Sequence, residues 1–203
     1  MVGIVDFGMC NLHSVQQALD LVGADAVVTG NAEDIKQADQ IVLPGVGSFA
    51  RGMRELHELN LVTVLHDEVV LRKKPFLGIC LGMQLTATAG QEHGVTKGLG
   101  WFDATVEDLN LTAKNVKIPH IGWNDVEITK DTPLFKGLKS PTTFYFAHSY
   151  HFIPDTEEIV TGLCNHGGMF VASVSSDNIH LVQFHPEKSQ SDGLRVLDNF
   201  LSC

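Results

Sequence analysis

The apolar residues in the first half of the chain follow two alternating patterns. Short continuous apolar runs, which are typical of buried strands, occupy residues 2–7, 25–30, 40–45 and 75–79. Between them lie stretches with apolar residues on one helical face, at residues 11–24, 32–38, 48–58, 61–72 and 81–89. Because strands that are buried on both faces belong to parallel sheets, this alternation predicts a parallel sheet covered by helices.

The second half of the chain has a different pattern. Beyond residue 100 it consists of short strand-like runs with turn signals, and little helix occurs before residues 192–201. No repeat, low-complexity tract or linker interrupts the chain. We therefore predict one α/β domain over residues 1–203, with a mixed sheet whose second half is antiparallel.

Composition narrows the possible partners and the location. The chain carries 14 Lys and Arg residues against 24 Asp and Glu residues. The resulting net charge of −10 repels a phosphate backbone, so nucleic acid is not expected as a partner. The four cysteines form no CxxC pair, and neither a signal peptide nor an apolar run of membrane-spanning length is recognisable. We expect a cytoplasmic protein that has no contact with a membrane.

Cys80 lies in the segment Gly78-Ile79-Cys80-Leu81-Gly82, which has the form of a nucleophile elbow between a strand and a helix. Side chains two positions before or after the nucleophile would collide in such a turn, and the two glycines remove both collisions. The thiol would lie at a helix N-terminus, which favours the thiolate, and the Leu81 amide could bind an oxyanion. An inert, buried cysteine is the alternative interpretation.

Three further side chains complete a possible thiol site. Gln84 lies one helical turn after Cys80 on the same face, where a bound substrate could be its partner. His185 ends an apolar strand and precedes a proline, so we expect it at a strand terminus. Glu187 is close enough in sequence to orient the imidazole. We therefore predict a nucleophile, a base and an orienting acid, although each residue taken singly also has an ordinary structural explanation.

Two glycines follow the third predicted strand, in the segment LPGVGSF at residues 43–49. Gly45 and Gly47 let backbone amides approach a ligand closely. No GK[ST] follows, so an oxyanion or substrate-backbone cradle fits better than a phosphate loop. His148 and His151 are the obvious metal candidates, but in a strand their spacing points them to opposite faces. We predict no metal and no cofactor.

Several motifs occur in one order along the chain: PGVGSF, PFLGICLGMQL, GLGW, HSYHF and VQFHPEKSQ. In this order they resemble the class I (triad) glutamine amidotransferases over essentially the whole chain. The resemblance implies a flavodoxin-like three-layer sandwich with a mixed, mostly parallel central sheet. It also implies that Cys80 attacks the side-chain amide of L-glutamine, and that His185 and Glu187 complete the triad.

The resemblance implies roles for further residues. An oxyanion hole would be formed by the amide of Leu81 and an amide from Val46 or Gly47. In the family one such amide is often misoriented until the partner binds its nucleotide. The residues implied to hold glutamine are Gly45, Gly47, Gln84, Ser149, Tyr150 and His151.

Within the family, the segments DFGMCNLHSV, KIPHIGWNDV and FYFAHSYHF are similar to those of certain glutaminase subunits. Those subunits pass ammonia to a separate, barrel-shaped synthase (cyclase) subunit in histidine biosynthesis. The similarity implies a heterodimer in which Asn11, Trp123 and Tyr145 face the synthase, although core packing also explains Trp123. The chain departs from the family at Cys10, where glycine is usual, and at residues 86–95, where the segment is less acidic.

Two alternatives remain open at this point. One is a related subunit that supplies ammonia for amidation of a surface-polysaccharide nucleotide-sugar. The other is a non-catalytic scaffold that keeps the fold without the activity. The first would share the active site and differ in its partner, whereas the second would not need the three predicted catalytic residues.

Overall fold

The computed structural model describes all 203 residues, which form two β-sheets with helices around them. The strands are β1 (Val2–Val5), β2 (Ala26–Thr29), β3 (Gln40–Gly45), β4 (Phe76–Cys80), β5 (Ala87–Gly90), β6 (Thr96–Lys97), β7 (Phe102–Asp108), β8 (His120–Ile128), β9 (Thr142–His148), β10 (Tyr150–Pro154), β11 (Val160–Asn165), β12 (Met169–Ser176) and β13 (Ile179–Val182). The α-helices are α1 (Leu12–Leu21), α2 (Ala32–Gln37), α3 (Phe49–Glu58), α4 (Leu61–Leu65), α5 (Leu81–Leu85) and α6 (Gln190–Phe200).

The larger sheet has nine strands in the order β2-β1-β3-β4-β13-β12-β11-β8-β9. The first five strands in this order, from β2 to β13, pair with one another in parallel. The four pairings from β13 to β9 are antiparallel. The predicted mixed sheet with an antiparallel second half is therefore confirmed. The larger sheet is evenly mixed and not mostly parallel, because four of its eight strand pairings are parallel and four are antiparallel.

The smaller sheet has four strands in the order β10-β7-β5-β6. It replaces part of a predicted helix, since the helix expected over residues 81–89 ends at Leu85 and β5 follows. The backbone amides of Trp101 and Phe102 both donate to the carbonyl of Thr86, and β5 pairs in parallel with β7. Pairing with a segment that is distant in sequence thus overrides the local helical pattern.

Two apolar cores lie on opposite faces of the larger sheet. The helices α1 and α6 cover one face, whereas α2 to α5 and the smaller sheet cover the other. Within β3, Val42 packs in the first core, and its neighbours Ile41 and Leu43 pack in the second. This alternation is what a strand buried on both faces requires, and it gives the three-layer α/β sandwich that the sequence predicts.

The segment predicted as one helix over residues 61–72 divides into α4 and a π-helical segment, His66–Leu71. Glu68 in this segment is buried, and its carboxylate pairs with Lys74 Nζ at 2.8 Å and Arg72 Nη1 at 3.0 Å. A buried carboxylate needs such partners, and here they fasten the helix to the start of β4. None of the helices is long and apolar enough to cross a membrane.

The carboxyl ends of three parallel strands meet at one edge of the larger sheet. Gly45 ends β3 and lies opposite Cys80 at the end of β4. Val182 ends β13 and lies opposite Ile79. Open α/β sheets bind their ligands outside this edge, so the fold brings the predicted nucleophile to the expected place.

Candidate active site

Cys80 occupies the sharp turn between β4 and α5. Its backbone has φ 53° and ψ −106°, a conformation that L side chains rarely adopt and that only a restraining environment maintains. A Cβ on Gly82 would lie 1.7 Å from the Leu43 carbonyl oxygen, and a Cβ on Gly78 would lie 2.8 Å from Cδ2 of Leu181 and 3.0 Å from the Gly82 backbone. Both collisions expected for a nucleophile elbow are therefore confirmed.

His185 and Glu187 form a buried pair beside this turn. Nδ1 of His185 lies 2.8 Å from Oε1 of Glu187, and both side chains are almost fully buried. Burial alone would lower the pKa of His185, but attraction to the Cys80 sulfur and the Glu187 carboxylate raises it above its ordinary value of 6.5. Nε2 is buried without a further hydrogen-bond partner, so it is the nitrogen left for Cys80. This is the arrangement of a thiol, a base and an orienting acid.

Backbone hydrogen bonds fix the segment that carries the pair. The His185 amide donates to the Tyr145 carbonyl at 2.8 Å. Ser189 Oγ donates to the His185 carbonyl at 2.6 Å and accepts from the Tyr145 amide at 2.9 Å. A single 3-10 turn over Pro186–Lys188 then folds Glu187 back toward the imidazole. Strand β13 ends at Val182, three residues before His185, so His185 is not the strand terminus that the sequence predicts, and the proline begins the turn that places the acid.

The other three cysteines are poor candidates for the nucleophile. Burial raises the pKa of Cys10 and of Cys164 to about 12, and it also raises the pKa of Cys203. Negative charges nearby, including Glu187, add to the shift at Cys10. These thiols are therefore protonated near neutral pH, and only Cys80 lies beside a base.

A cavity of about 380 Å³ opens in front of Cys80. Small-molecule sites have volumes of roughly 300–1,000 Å³, so this cavity suits a ligand of amino-acid size. The predicted site residues in its wall are Gly47, Leu81, Gln84, Ser149 and Tyr150. Gly45 lies at the end of β3 beside Leu81, where a side chain would press on that residue.

Gln84 presents an acceptor to the cavity. Its Nε2 donates to the Tyr150 carbonyl at 2.9 Å and to Oε1 of Gln183 at 3.0 Å. Because a carbonyl can only accept, the Gln84 atom next to it must be nitrogen, and Oε1 is the end that remains for a ligand. Gln183 itself was not among the residues that the sequence indicated.

Glu92 also lines the cavity, and sequence reasoning missed it. Its Oε2 accepts from the Phe49 amide at 2.8 Å, at the beginning of α3. A carboxylate in this wall suits a cationic group of a ligand. No local motif marks Glu92, because the turn after β5 brings it to the site; the one signal was the unusual composition of residues 86–95.

The segment after β3 does not offer all of its amides to the cavity. Gly47 lines the cavity with φ 101°, which favours glycine. The amide of Val46, however, donates to the Met9 carbonyl at 2.6 Å. Of the residues predicted for the oxyanion hole, Leu81 and Gly47 therefore border the cavity, while the N–H of Val46 is engaged elsewhere.

His151 does not line the cavity, although the sequence placed it among the substrate ligands. Its ring is buried near Phe170, and neither nitrogen has a hydrogen-bond partner. Neighbouring residues of a strand point to opposite faces, so with Tyr150 at the cavity His151 faces the core. No group of three or more His, Cys, Asp or Glu side chains is placed to hold a metal ion.

His120 and His148 form a neutral pair beside the cavity. Nδ1 of His148 donates to the Tyr150 carbonyl at 2.8 Å, so its Nε2 accepts from Nδ1 of His120 at 3.0 Å. Burial lowers the pKa of His148 to about 3 and that of His120 to about 4. Nε2 of His120 is then an acceptor for Nδ2 of Asn124 at 3.2 Å. Every ring nitrogen of the pair thus has one defined role.

Two of the residues predicted to face a partner lie side by side on β8 and β9. Trp123 and Tyr145 are opposite each other in register, and their ring centroids are 5.9 Å apart. Trp123 is 48% exposed and nearby Ile121 is 63% exposed, so core packing does not explain the tryptophan. Lys188 Nζ lies 5.7 Å from the centre of the Tyr145 ring. Asn11 is exposed ahead of α1.

Comparison with known proteins finds matches that extend over almost the whole chain. Residues 3–202 match the family model described as Glutamine amidotransferase class-I. A Campylobacter jejuni (strain RM1221) protein described as imidazole glycerol phosphate synthase subunit HisH 1 is 44% identical over 205 residues, covering 99% of both chains. The subunit HisH of Aquifex aeolicus (strain VF5) is 46% identical over 198 residues, covering 97% of this chain and 94% of its own. The structure of PurLQS from Thermotoga maritima is similar in fold, with a TM-score of 0.77 at 18% identity, covering 99% of this chain and 96% of that chain.

Replacement of Gly82 by alanine should disrupt the turn that holds Cys80. The added Cβ would lie 1.7 Å from a backbone oxygen, which cannot move without breaking β3. We expect a loss of at least about 3 kcal/mol in the free energy of unfolding, measured with urea. Gly137→Ala is the matched control, because Gly137 has φ 80° and nothing within 4 Å of an added Cβ. It should cost about 1 kcal/mol, and equal losses in the two variants would contradict the steric account.

The His120–His148 pair should make the folded chain less stable in acid. Both pKa values are lowered from 6.5, to about 4 and about 3, so the unfolded chain binds more protons between these limits. The free energy of unfolding should therefore fall as the pH is lowered from 6.5 toward 4. His120→Gln should reduce this fall by roughly 1–2 kcal/mol at about pH 5. His57→Gln, at an exposed histidine on α3, is the control, and an unchanged fall in His120→Gln would contradict the assignment.

Proposed function

Because the chain belongs to the class I glutamine amidotransferases, we propose that it is the glutaminase subunit of an imidazole glycerol phosphate synthase. It hydrolyses L-glutamine to glutamate and ammonia. The observation that carries this function is the assembly of Cys80, His185 and Glu187 at a cavity of amino-acid size. We take residues 1–203 to act as a single catalytic domain in the cytoplasm.

Cys80 is the attacking group in this reaction. Its thiol proton passes to Nε2 of His185, and the sulfur adds to the side-chain amide carbon of glutamine. The carbon–nitrogen bond then breaks, His185 returns the proton to the departing nitrogen, and ammonia leaves behind a glutamyl thioester. His185 next takes a proton from water, and the water oxygen attacks the thioester carbon. The carbon–sulfur bond then breaks, glutamate leaves, and His185 returns the proton to the Cys80 sulfur. Glu187 keeps Nδ1 bonded throughout, so Nε2 is always the nitrogen that exchanges the proton.

The cavity wall matches the groups of free glutamine. Oε1 of Gln84 is an acceptor for an N–H of the substrate, and the Glu92 carboxylate suits its α-ammonium group. Gly47, Ser149 and Tyr150 complete the wall. His151 has no part in this proposal, because its ring faces the core.

The oxyanion hole is completed by a rearrangement in this proposal. The amide of Leu81 begins α5 directly after the nucleophile, where it can bind the developing oxyanion. The second donor is the Val46 amide, which must first leave the Met9 carbonyl, or the Gly47 amide beside it. Glutamine hydrolysis by the isolated chain is therefore slow, and binding of the partner accelerates it.

The partner is a barrel-shaped synthase (cyclase) subunit that forms a heterodimer with this chain. The exposed Trp123 and Ile121 offer apolar anchors of the kind that are common at interfaces. Tyr145 beside them accepts a hydrogen bond from the His185 amide, which connects this face to the catalytic base. Asn11 lies on the same binding face in this proposal. Ammonia passes to the synthase, which makes imidazole glycerol phosphate and aminoimidazole carboxamide ribotide.

The function is tested by mixing the purified chain with its synthase subunit and measuring glutamate release and synthesis separately. With the synthase nucleotide present, glutamate release should rise strongly above that of the isolated chain. Cys80→Ala should abolish glutamate release, while synthesis from added ammonium salt stays close to that of the unchanged complex. The two activities should respond differently because the thiol acts in glutamine hydrolysis and has no part in synthesis from free ammonia.

Two outcomes would contradict the proposal. Loss of both activities in Cys80→Ala would indicate a structural role for the thiol. Stimulation by a nucleotide-sugar system and not by the histidine-pathway nucleotide would assign the same chemistry to a different partner. Cys164→Ala is the matched control, because it removes a buried thiol of β11, which β12 separates from β13, and should leave both activities intact.

A further inference from the structure

Gln183 is fully buried next to Cys80, and it takes no part in the proton transfers of the proposed reaction. It directly follows β13, and its backbone amide donates to the Ala172 carbonyl at 2.9 Å. Its side-chain Nε2 lies 3.5 Å from the Cys80 sulfur, and its Oε1 accepts from Gln84 Nε2 at 3.0 Å. One side chain therefore contacts both the nucleophile and a residue of the cavity wall.

A backbone carbonyl determines the direction of these bonds. The Tyr150 carbonyl accepts from Nδ1 of His148 at 2.8 Å and from Gln84 Nε2 at 2.9 Å, which uses both of its lone pairs. Gln84 therefore directs its NH₂ group toward Gln183, so the Gln183 atom that faces it must be the carbonyl oxygen Oε1. The other end of the Gln183 amide, which faces Cys80, is then the NH₂ group. A flipped amide would place N–H against N–H.

We propose that Gln183 is a positioning residue that directs the Cys80 sulfur and stabilises its thiolate by donating a hydrogen bond. The proposal deepens the proposed function and rests on it, because it takes Cys80 to be the attacking group. Hydrogen bonds to charged acceptors are stronger than those to neutral ones, so this donor acts mainly on the ionised sulfur. It favours the thiolate before attack and again when the thioester is hydrolysed.

The choice of acceptor distinguishes this role from ordinary core packing. Nε2 of Gln183 has the Cys80 sulfur as its hydrogen-bond partner. A neutral thiol is a weak acceptor, so this bond contributes little while the sulfur is uncharged. Such a contact gains strength when the sulfur carries charge, which is the state that the reaction needs.

The experiment measures the rate at which iodoacetamide alkylates Cys80 in the full chain, with the modified cysteine located by peptide mass spectrometry. Gln183→Met removes the donor at similar length. Gln183→Glu keeps an acceptor for Gln84 and replaces the N–H that faces the sulfur. Both variants should slow alkylation of Cys80 about tenfold or more near neutral pH. Ser175→Ala is the control, because it removes a part-buried hydrogen bond from β12 to His180, which lies near the beginning of β13.

The direction of the change in alkylation rate distinguishes loss of the hydrogen-bond donor from loss of structure. Local unfolding exposes a buried thiol and speeds its alkylation, whereas loss of the donor slows it. A rate that is unchanged or faster in either folded variant would overturn the proposal, and so would a failure of both variants to fold. The readout does not depend on glutamine turnover. If the unchanged chain releases no glutamate even with the synthase subunit and its nucleotide present, yet the variants slow alkylation, the proposed function fails while the hydrogen bond from Gln183 to the thiolate stands.

Discussion

The strained backbone at Cys80 is the constraint on which the site depends. A residue with φ 53° at the end of a strand stores roughly 1–3 kcal/mol, and the surrounding sheet must supply that energy. Here β4 is paired on both sides by parallel strands, β3 and β13, so the end of the strand cannot relax sideways. Gly82 packs directly on the Leu43 carbonyl, which brings α5 and β3 into contact and raises the thiol toward the cavity. The proposed oxyanion donors, His185 and the cavity wall are all placed relative to this turn.

Histidines in this region have two opposite environments. His185 is buried between a carboxylate and a sulfur, and attraction to both raises its pKa. His120 and His148 are buried without an acid, and burial lowers their pKa values to about 4 and about 3. The first ring can therefore exchange a proton with the thiol, whereas the other two serve as fixed donors and acceptors near neutral pH. Burial alone does not decide the role of a histidine, because the partner at its second nitrogen determines which form is stable.

Much of this arrangement could be predicted from the sequence. The alternation of apolar runs predicts the parallel half of the sheet, and the spacing of Gly78, Cys80 and Gly82 predicts the turn, because steric exclusion is a local property. His185 and Glu187 are recognisable because the proline between them begins a tight turn that brings the acid back to the imidazole. Strand β5 was missed, since pairing with β7 overrides a helical pattern. Glu92, Gln183 and the engaged amide of Val46 were missed for a related reason, because each depends on a contact with a segment distant in sequence.

Formation of a glutamyl thioester on Cys80 is the most direct test of the account. The chain, mixed with its synthase partner and nucleotide, would be incubated with glutamine, quenched in acid within the first turnovers and digested for mass spectrometry. A glutamyl adduct is expected on the peptide that contains Cys80, and no adduct is expected on any peptide of Cys80→Ala. Glutamate release without any adduct on Cys80, or an adduct on Cys10 instead, would contradict it.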